Sequence, residues 1–327
     1  MTCAVLTPAL LLVLASTLAA QQPAPGPAPV FRSSANLVPL SVTVTDANKH
    51  FVLGLTAADF TVFEDGVQQR VQFFESTEIP LDLILLLDAS SSMSGRMPIV
   101  HEAAVGFLRT LRDGDRGAVV AFADGVDIRQ ALTGDRQALE DAVHGTVAKG
   151  ATAFHNALYI SLKQFGRRAR QDGAVRRQAI AVLTDGEDTS SLVTFDDVLS
   201  MAQQSGVGIY PIALQSRYAA GRLASAGQRR HYSGSEYSLR RLAQETGTQA
   251  FFPLEATELK SVYAAIAQEL SSQYSLAYAP TNGRTDGRYR RIVVRVADRP
   301  ELRLRTRTGY SVELGRSASA STVLRER

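Results

Sequence analysis

Cysteine is all but missing: the 327-residue chain has one, Cys3, inside an apolar leader. Removal of that leader leaves no thiol, so neither a disulfide framework nor cysteine chemistry is available to the mature chain. Beyond the first twenty residues no stretch is long and apolar enough to span a bilayer. Charge is sparse and nearly balanced, with 20% of residues charged, a net charge of +3 and no long basic block. That balance gives nucleic acid no footing. The five histidines (His50, His101, His144, His155, His231) show no i, i+4 pairing and no acidic neighbour at zinc spacing, so they read as surface or satisfied core residues. No G-x-S-x-G surrounds a serine, and neither a Walker-type loop nor G-x-G-x-x-G follows a strand. What is there is an ordinary globular composition, 45% hydrophobic, enough for one large domain and a smaller one.

Residues 1–20, MTCAVLTPALLLVLASTLAA, end in small residues and precede a Pro-rich linker over 21–35. They read as a secretory signal peptide cleaved near Ala19 or Ala20, although no Lys or Arg precedes the apolar core. The competing reading is an uncleaved anchor, short for a span and the one route to membrane association. The expected location is therefore secreted or periplasmic.

Residues 36–78 hold alternating strands over 36–45, 51–55, 60–64 and 67–74, with a hairpin signal at Glu64-Asp65-Gly66. They are too few to close a sandwich unaided. Over 79–272 strands alternate with helices. Strands are expected at 81–88, 117–123, 178–183, 207–214 and 249–252, with an antiparallel edge at 126–131. Helices are expected at 97–111, 136–147, 153–169, 195–204, 239–245 and 256–270, and a long polar loop at 216–238. That order is the mark of a doubly wound, mostly parallel, Rossmann-like α/β sheet. Strand period returns over 273–313, at 274–279, 290–297 and 302–306. These strands are predicted to complete the smaller β domain begun by 36–78, with the α/β domain inserted between the two segments. Residues 314–327 read as a disordered tail. The stretch 284–307 carries nine arginines against three acids, which alternation would gather on one solvated face rather than on a surface for anionic polymers or lipid headgroups.

The chemistry gathers around 81–94, LDLILLLDASSSMS. An unbroken apolar run ending in an acid reads as the central strand of a parallel sheet, covered on both faces. Ligands in such sheets sit outside the carboxyl ends of the strands. Asp88, Ser90 and Ser92 stand there, with Thr152 in Gly150-Ala151-Thr152-Ala153 and Asp185 in Leu183-Thr184-Asp185-Gly186 on two further loops of the same edge. Two carboxylates and three hydroxyls contain no soft ligand, so they suit Mg²⁺ or Mn²⁺ rather than zinc. Two carboxylates only balance a divalent ion, which leaves it open to one more acidic oxygen. Taken alone, D-x-S-x-S is also a common helix cap; the threonine and the T-D-G turn on later loops make it a site.

With these motifs the chain resembles the von Willebrand factor type A domain and its metal-ion-dependent adhesion site, over about 81–270. Val44-Thr45-Asp46, residues 55–66, residues 273–280 and Gly309-Tyr310 are similar to the flanks of a secreted bacterial group that carries such a domain. The resemblance implies that Ser90, Ser92 and Thr152 ligate the ion through hydroxyls. Asp88 and Asp185 would act mostly through water, with Asp185 or Thr152 exchanging roles when ligand binds. The family usually has glycine where this chain has Ser91, so a positive φ there would be strained.

The expected function is non-enzymatic: an ion bridging to an Asp or Glu of a protein partner, with specificity from 91–96, 124–127 and 189–194 and any closure relayed through the last helix. One alternative is a structural subunit of an envelope complex whose metal supports the fold. Another is a metal-dependent phosphohydrolase, disfavoured because position 90 is Ser and no lysine lies in any of the three loops as read, 88–92, 150–153 and 183–186. Glu187 and Asp188 read as solvated loop residues.

Overall fold

Four short strands come first: β1 (Val38–Thr45), β2 (Phe60–Glu64), β3 (Val67–Gln69) and β4 (Val71–Glu75). The structure, a computed structural model, describes residues 37–76, 79–172, 176–185, 187–214 and 234–312. The signal segment, the Pro-rich linker, the tail and most of the expected loop at 216–238 lie outside the described residues.

β5 (Leu81–Asp88) follows, and all eight of its residues are buried. Around it run α1 (Met97–Leu108), β6 (Arg116–Phe122), β7 (Val126–Thr133), α2 (Arg136–His144), α3 (Phe154–Asp172), β8 (Arg177–Thr184), α4 (Phe195–Ser205), β9 (Gly208–Ala213), α5 (Gly234–Thr246) and α6 (Leu259–Ser272). The sheet order is β7-β6-β5-β8-β9, parallel throughout except for β7. The apolar run has a simple cause. Leu83, Leu85 and Leu87 pack into one layer with α1, α2 and α6, while Ile84 and Leu86 face α3, α4 and α5 on the other side. With both faces covered, alternation has no polar phase. Each of these side chains contributes about 1.5–3 kcal/mol through burial.

β10 (Tyr274–Tyr278), β11 (Tyr289–Val296), β12 (Arg303–Arg305) and β13 (Gly309–Ser311) rejoin the first four strands in two antiparallel sheets, β12-β1-β10-β4 and β13-β11-β2-β3. Val42, Val62, Leu276 and Ile292 belong to the core shared by the two. β4, from which the chain leaves for the α/β unit, pairs directly with β10, on which it returns. The α/β unit is an insertion between two neighbouring strands. Among the described residues no helix is long and apolar enough to cross a membrane.

Several local expectations change. The strands expected at 51–55 and 249–252 reduce to single bridges, Thr45 to Phe51 and Ile212 to Phe251; the second run is stopped by Pro253, which has no N–H to donate. The run at 67–74 divides at Arg70, and its halves join different sheets. The last helix begins at Leu259 after a 3-10 turn at Ala256–Glu258, and the loop expected to reach 238 is already helical from Gly234. Nor do the arginines of 284–307 share one outer face. Arg290 points inward and meets Glu64 at 3.2 Å, with both side chains buried. Arg307 is buried too and donates to the carbonyls of Gly309 and Gln203.

Candidate metal centre

The two ends of β5 carry two buried acids with opposite solutions. At the amino end Asp82 receives Arg116 through two hydrogen bonds (2.8 and 2.7 Å) and Arg176 through a third (2.7 Å). At the carboxyl end Asp88 has no exposure, and among the described residues no basic side chain pairs with it. It accepts from the Ser90 amide (2.9 Å) and from the Thr184 hydroxyl (2.7 Å). Burial pushes its pKa up; hydrogen bonds from Ser90 and Thr184 oppose that, and the nearby Asp185 adds to it.

From Asp88 a chain of oxygens runs outward. Ser90 Oγ and Ser92 Oγ lie 3.0 Å apart, and Ser92 Oγ donates to Asp185 Oδ1 at 2.7 Å. The other Asp185 oxygen forms an ion pair with Arg96. Asp88, Ser90, Ser92 and Asp185 are thus brought together. Thr152 is set beside them by backbone: the Ser91 amide donates to the Gly150 carbonyl (3.0 Å) and the Lys149 amide to that of Ala89 (2.6 Å). On its other flank Thr152 N–H donates to Thr189 Oγ1 (3.1 Å), and its carbonyl accepts from the Thr189 amide (2.9 Å). Its side chain is buried and makes no hydrogen bond to the other four.

Local chemistry explains the loops. Gly150 has φ +80°, and a Cβ there would lie 2.2 Å from Asp124 Oδ2, while Asp124 Oδ1 accepts from the Ala151 amide at 2.6 Å. Only glycine allows that approach. Ser91 opens a 3-10 turn, Ser91–Met93, and positive φ at described non-glycine residues is confined to Lys49, Asp65 and Asp298. The strain expected from serine in place of glycine is absent.

Four further residues support the site. Thr184 orients Asp88. Arg96 neutralises Asp185. Asp188, expected in solvent, accepts from the amides of His155 (2.7 Å) and Ser191 (3.0 Å); burial works against its charge, but these hydrogen bonds outweigh it and hold its carboxyl below the usual range. Asn156 Oδ1 receives the amides of Leu192 and Val193. None of the four carried a local signal: Thr194, not Asp188, caps the helix that follows, and the His155 amide that Asp188 accepts lies 33 residues away. Beside the site a hollow of roughly 540 Å³ is lined by Ala89, Phe122, Asp124, Val126, Arg129 and Lys149, among others.

The donor set fits a small hard cation. An octahedral ion with oxygens at about 2.1 Å sets adjacent oxygens about 3.0 Å apart, the separation of the two serine hydroxyls. Among the described residues no three His, Cys, Asp or Glu side chains gather into a metal-holding group, so a cation here depends on hydroxyls.

Residues 83–187 match the family model for the von Willebrand factor type A domain. The chain is 32% identical over 117 residues to an uncharacterised protein of Synechocystis sp., covering 34% of this chain and 26% of that one. It is 25% identical over 204 residues to a UPF0353 protein of Mycolicibacterium paratuberculosis, covering 58% and 60%. It thus spans less than two thirds of either relative. Similar solved structures include a von Willebrand factor type A protein from Catenulispora acidiphila (13% identity, 86% of this chain and 74% of that one, TM-score 0.48). Another is an aerotolerance-related membrane protein from Bacteroides fragilis (19%, 58% and 98%, TM-score 0.44).

Proposed function

Because residues 83–187 match the family model for the von Willebrand factor type A domain, we propose that this protein is a non-catalytic, extracytoplasmic binding protein that captures an acidic residue of a protein partner through a divalent cation. The cation is Mg²⁺ or Mn²⁺. Ser90, Ser92 and Thr152 would hold it through hydroxyls, with Asp88 and Asp185 balancing its charge. Bound there, it supplies a Lewis-acidic corner for a carboxylate.

One observation carries this reading: Asp88. The fold surrounds Asp82, the equally buried acid at the far end of the same strand, with two guanidinium groups, yet among the described residues Asp88 has no basic partner and is hydrogen-bonded by Ser90 and Thr184. A buried carboxylate without a counter-charge is costly, and a cation at the adjacent hydroxyls removes the cost. The chain's own groups do the rest. Thr184 and the Ser90 amide orient Asp88, the backbone ties at Ala89 and Ser91 hold the Thr152 loop in place, and the neighbouring hollow offers room for side chains flanking the partner's acid. The apolar leader supports the location outside the cytoplasm.

The test is calorimetric titration of Mn²⁺ into wild type and Ser92→Ala, paired with capture from an envelope fraction in Mg²⁺ or in EDTA. The reading expects at least about tenfold weaker ion binding in the variant and capture in Mg²⁺ only, lost when the acid of the eluted partner is changed to its amide. Absence of Mn²⁺ uptake by wild type overturns it. Capture that survives both EDTA and Asp88→Ala, with only the melting temperature lowered, would point instead to an ion that serves the fold.

A further inference from the structure

Asp185 is the one acid of the site that already has a cation beside it, and that cation belongs to the chain. Its Oδ1 takes the hydroxyl of Ser92 and its Oδ2 the guanidinium of Arg96, so both oxygens are engaged by internal donors. The pair is lopsided: the Asp185 side chain is 3% exposed and that of Arg96 36%. The guanidinium therefore covers the carboxylate from the solvent side. The Asp82 pairs differ, since Arg116 and Arg176 are 25% and 15% exposed and lie at the opposite edge of the sheet.

The backbone of Arg96 is held. Its amide donates to the Met93 carbonyl (2.8 Å), and its own carbonyl accepts from the amides of Ile99 (3.1 Å) and Val100 (3.0 Å) at the start of α1. The side chain can leave Asp185 by rotation about its own bonds, with no change in the loop that carries Ser90 and Ser92. A positive charge on Oδ2 and a divalent ion drawing on the same carboxylate repel each other across a few ångströms, and a carboxylate oxygen committed to a guanidinium is less available to a metal.

We infer that Arg96 is a built-in rival of the divalent cation for Asp185, so that opening of the Arg96–Asp185 ion pair sets the apparent ion affinity of the site. This rests on the metal reading above. A site whose competent form is open for only a tenth of the time binds about tenfold more weakly than its intrinsic affinity. Removing the rival should recover that factor. Loss of an ordinary supporting residue does the opposite, weakening ion binding.

Mn²⁺ is titrated into the full chain as wild type, Arg96→Gln, Arg96→Lys and Ser92→Ala, by calorimetry and by electron paramagnetic resonance of free Mn²⁺. The expectation is that Arg96→Gln binds Mn²⁺ about tenfold or more tightly than wild type, with Arg96→Lys between them because an ammonium keeps the charge but is more strongly hydrated and holds the oxygen less firmly. In EDTA, Arg96→Gln should melt below wild type, since Asp185 loses its counter-charge, and saturating Mn²⁺ should close the gap. Equal or weaker binding by Arg96→Gln, with wild type binding and Ser92→Ala impaired, overturns the rivalry and leaves the metal reading intact. No uptake by wild type or by either Arg96 variant overturns both. Should Arg96→Gln fail to fold, Arg96→Lys decides: affinity at or below that of wild type rejects the proposal.

Discussion

Asp88 illustrates how far a single residue's environment can be turned into an expectation. Its folded pKa lies above the ordinary aspartate value of 3.8, with burial the largest cause. For a raised group the contribution to stability is fully present below the unfolded pKa and is lost as pH rises through the folded value. Metal-free wild type should therefore lose stability relative to Asp88→Asn as pH climbs from acid to neutral. At neutral pH in EDTA the variant is expected to melt above wild type and to show no response to Mg²⁺. Melting curves across that pH range check it, and a variant that melts lower throughout would reject the account. Asp88, Ser90, Ser92 and Asp185 were legible in the sequence because acids and hydroxyls at the ends of buried strands have few other uses. Arg96 was not, because nothing local distinguishes an arginine that reaches Asp185, 89 residues away, from one in solvent.

At the scale of elements, regular periods were readable and junctions were not. β5, β6 and β8 announce themselves as apolar runs, whereas the division of the run at 67–74 between two sheets depends on partners, β2 for one half and β10 for the other. The α5 terminus shows the same dependence. Gly247, with φ +78°, follows the helix, and a Cβ there would lie 2.4 Å from the Arg307 amide nitrogen. The obstacle is backbone, which cannot swing aside. Gly247→Ala should cost about 2–3 kcal/mol in chemical denaturation while leaving Mn²⁺ affinity unchanged, since the change lies outside the ion-binding loops.

The molecule as a whole is held together by polar groups where the inserted unit meets the strands that frame it. Glu269 on α6 is buried and accepts from Tyr210 (3.1 Å) on β9 and Thr43 (3.3 Å) on β1. Its second oxygen meets Arg305 on β12 as an ion pair without the alignment of a hydrogen bond. Gln273 donates to Tyr210 (3.0 Å) beside it. Removing one member of such a pair strands a buried charge, so Arg305→Ala should destabilise by about 3 kcal/mol. Adding Glu269→Gln should recover much of that loss, a coupling that a double-mutant cycle measures; additive effects would show that the pair is not the link. α6 joins this cluster directly to β10.

The sequence by itself determined the fold class, the insertion of an α/β unit between two β segments and the kinds of oxygen at the strand ends, because burial on one or both faces leaves its period in the chain. Only the tertiary structure decided which acid receives which arginine: among the described residues Asp82 two, Asp185 one, Asp88 none. It likewise decided that Arg290 and Arg307 are interior groups rather than part of a basic face. The physical reason is that a period reports how a residue stands toward solvent, whereas a charge partner is set by which distant segments the topology lays side by side.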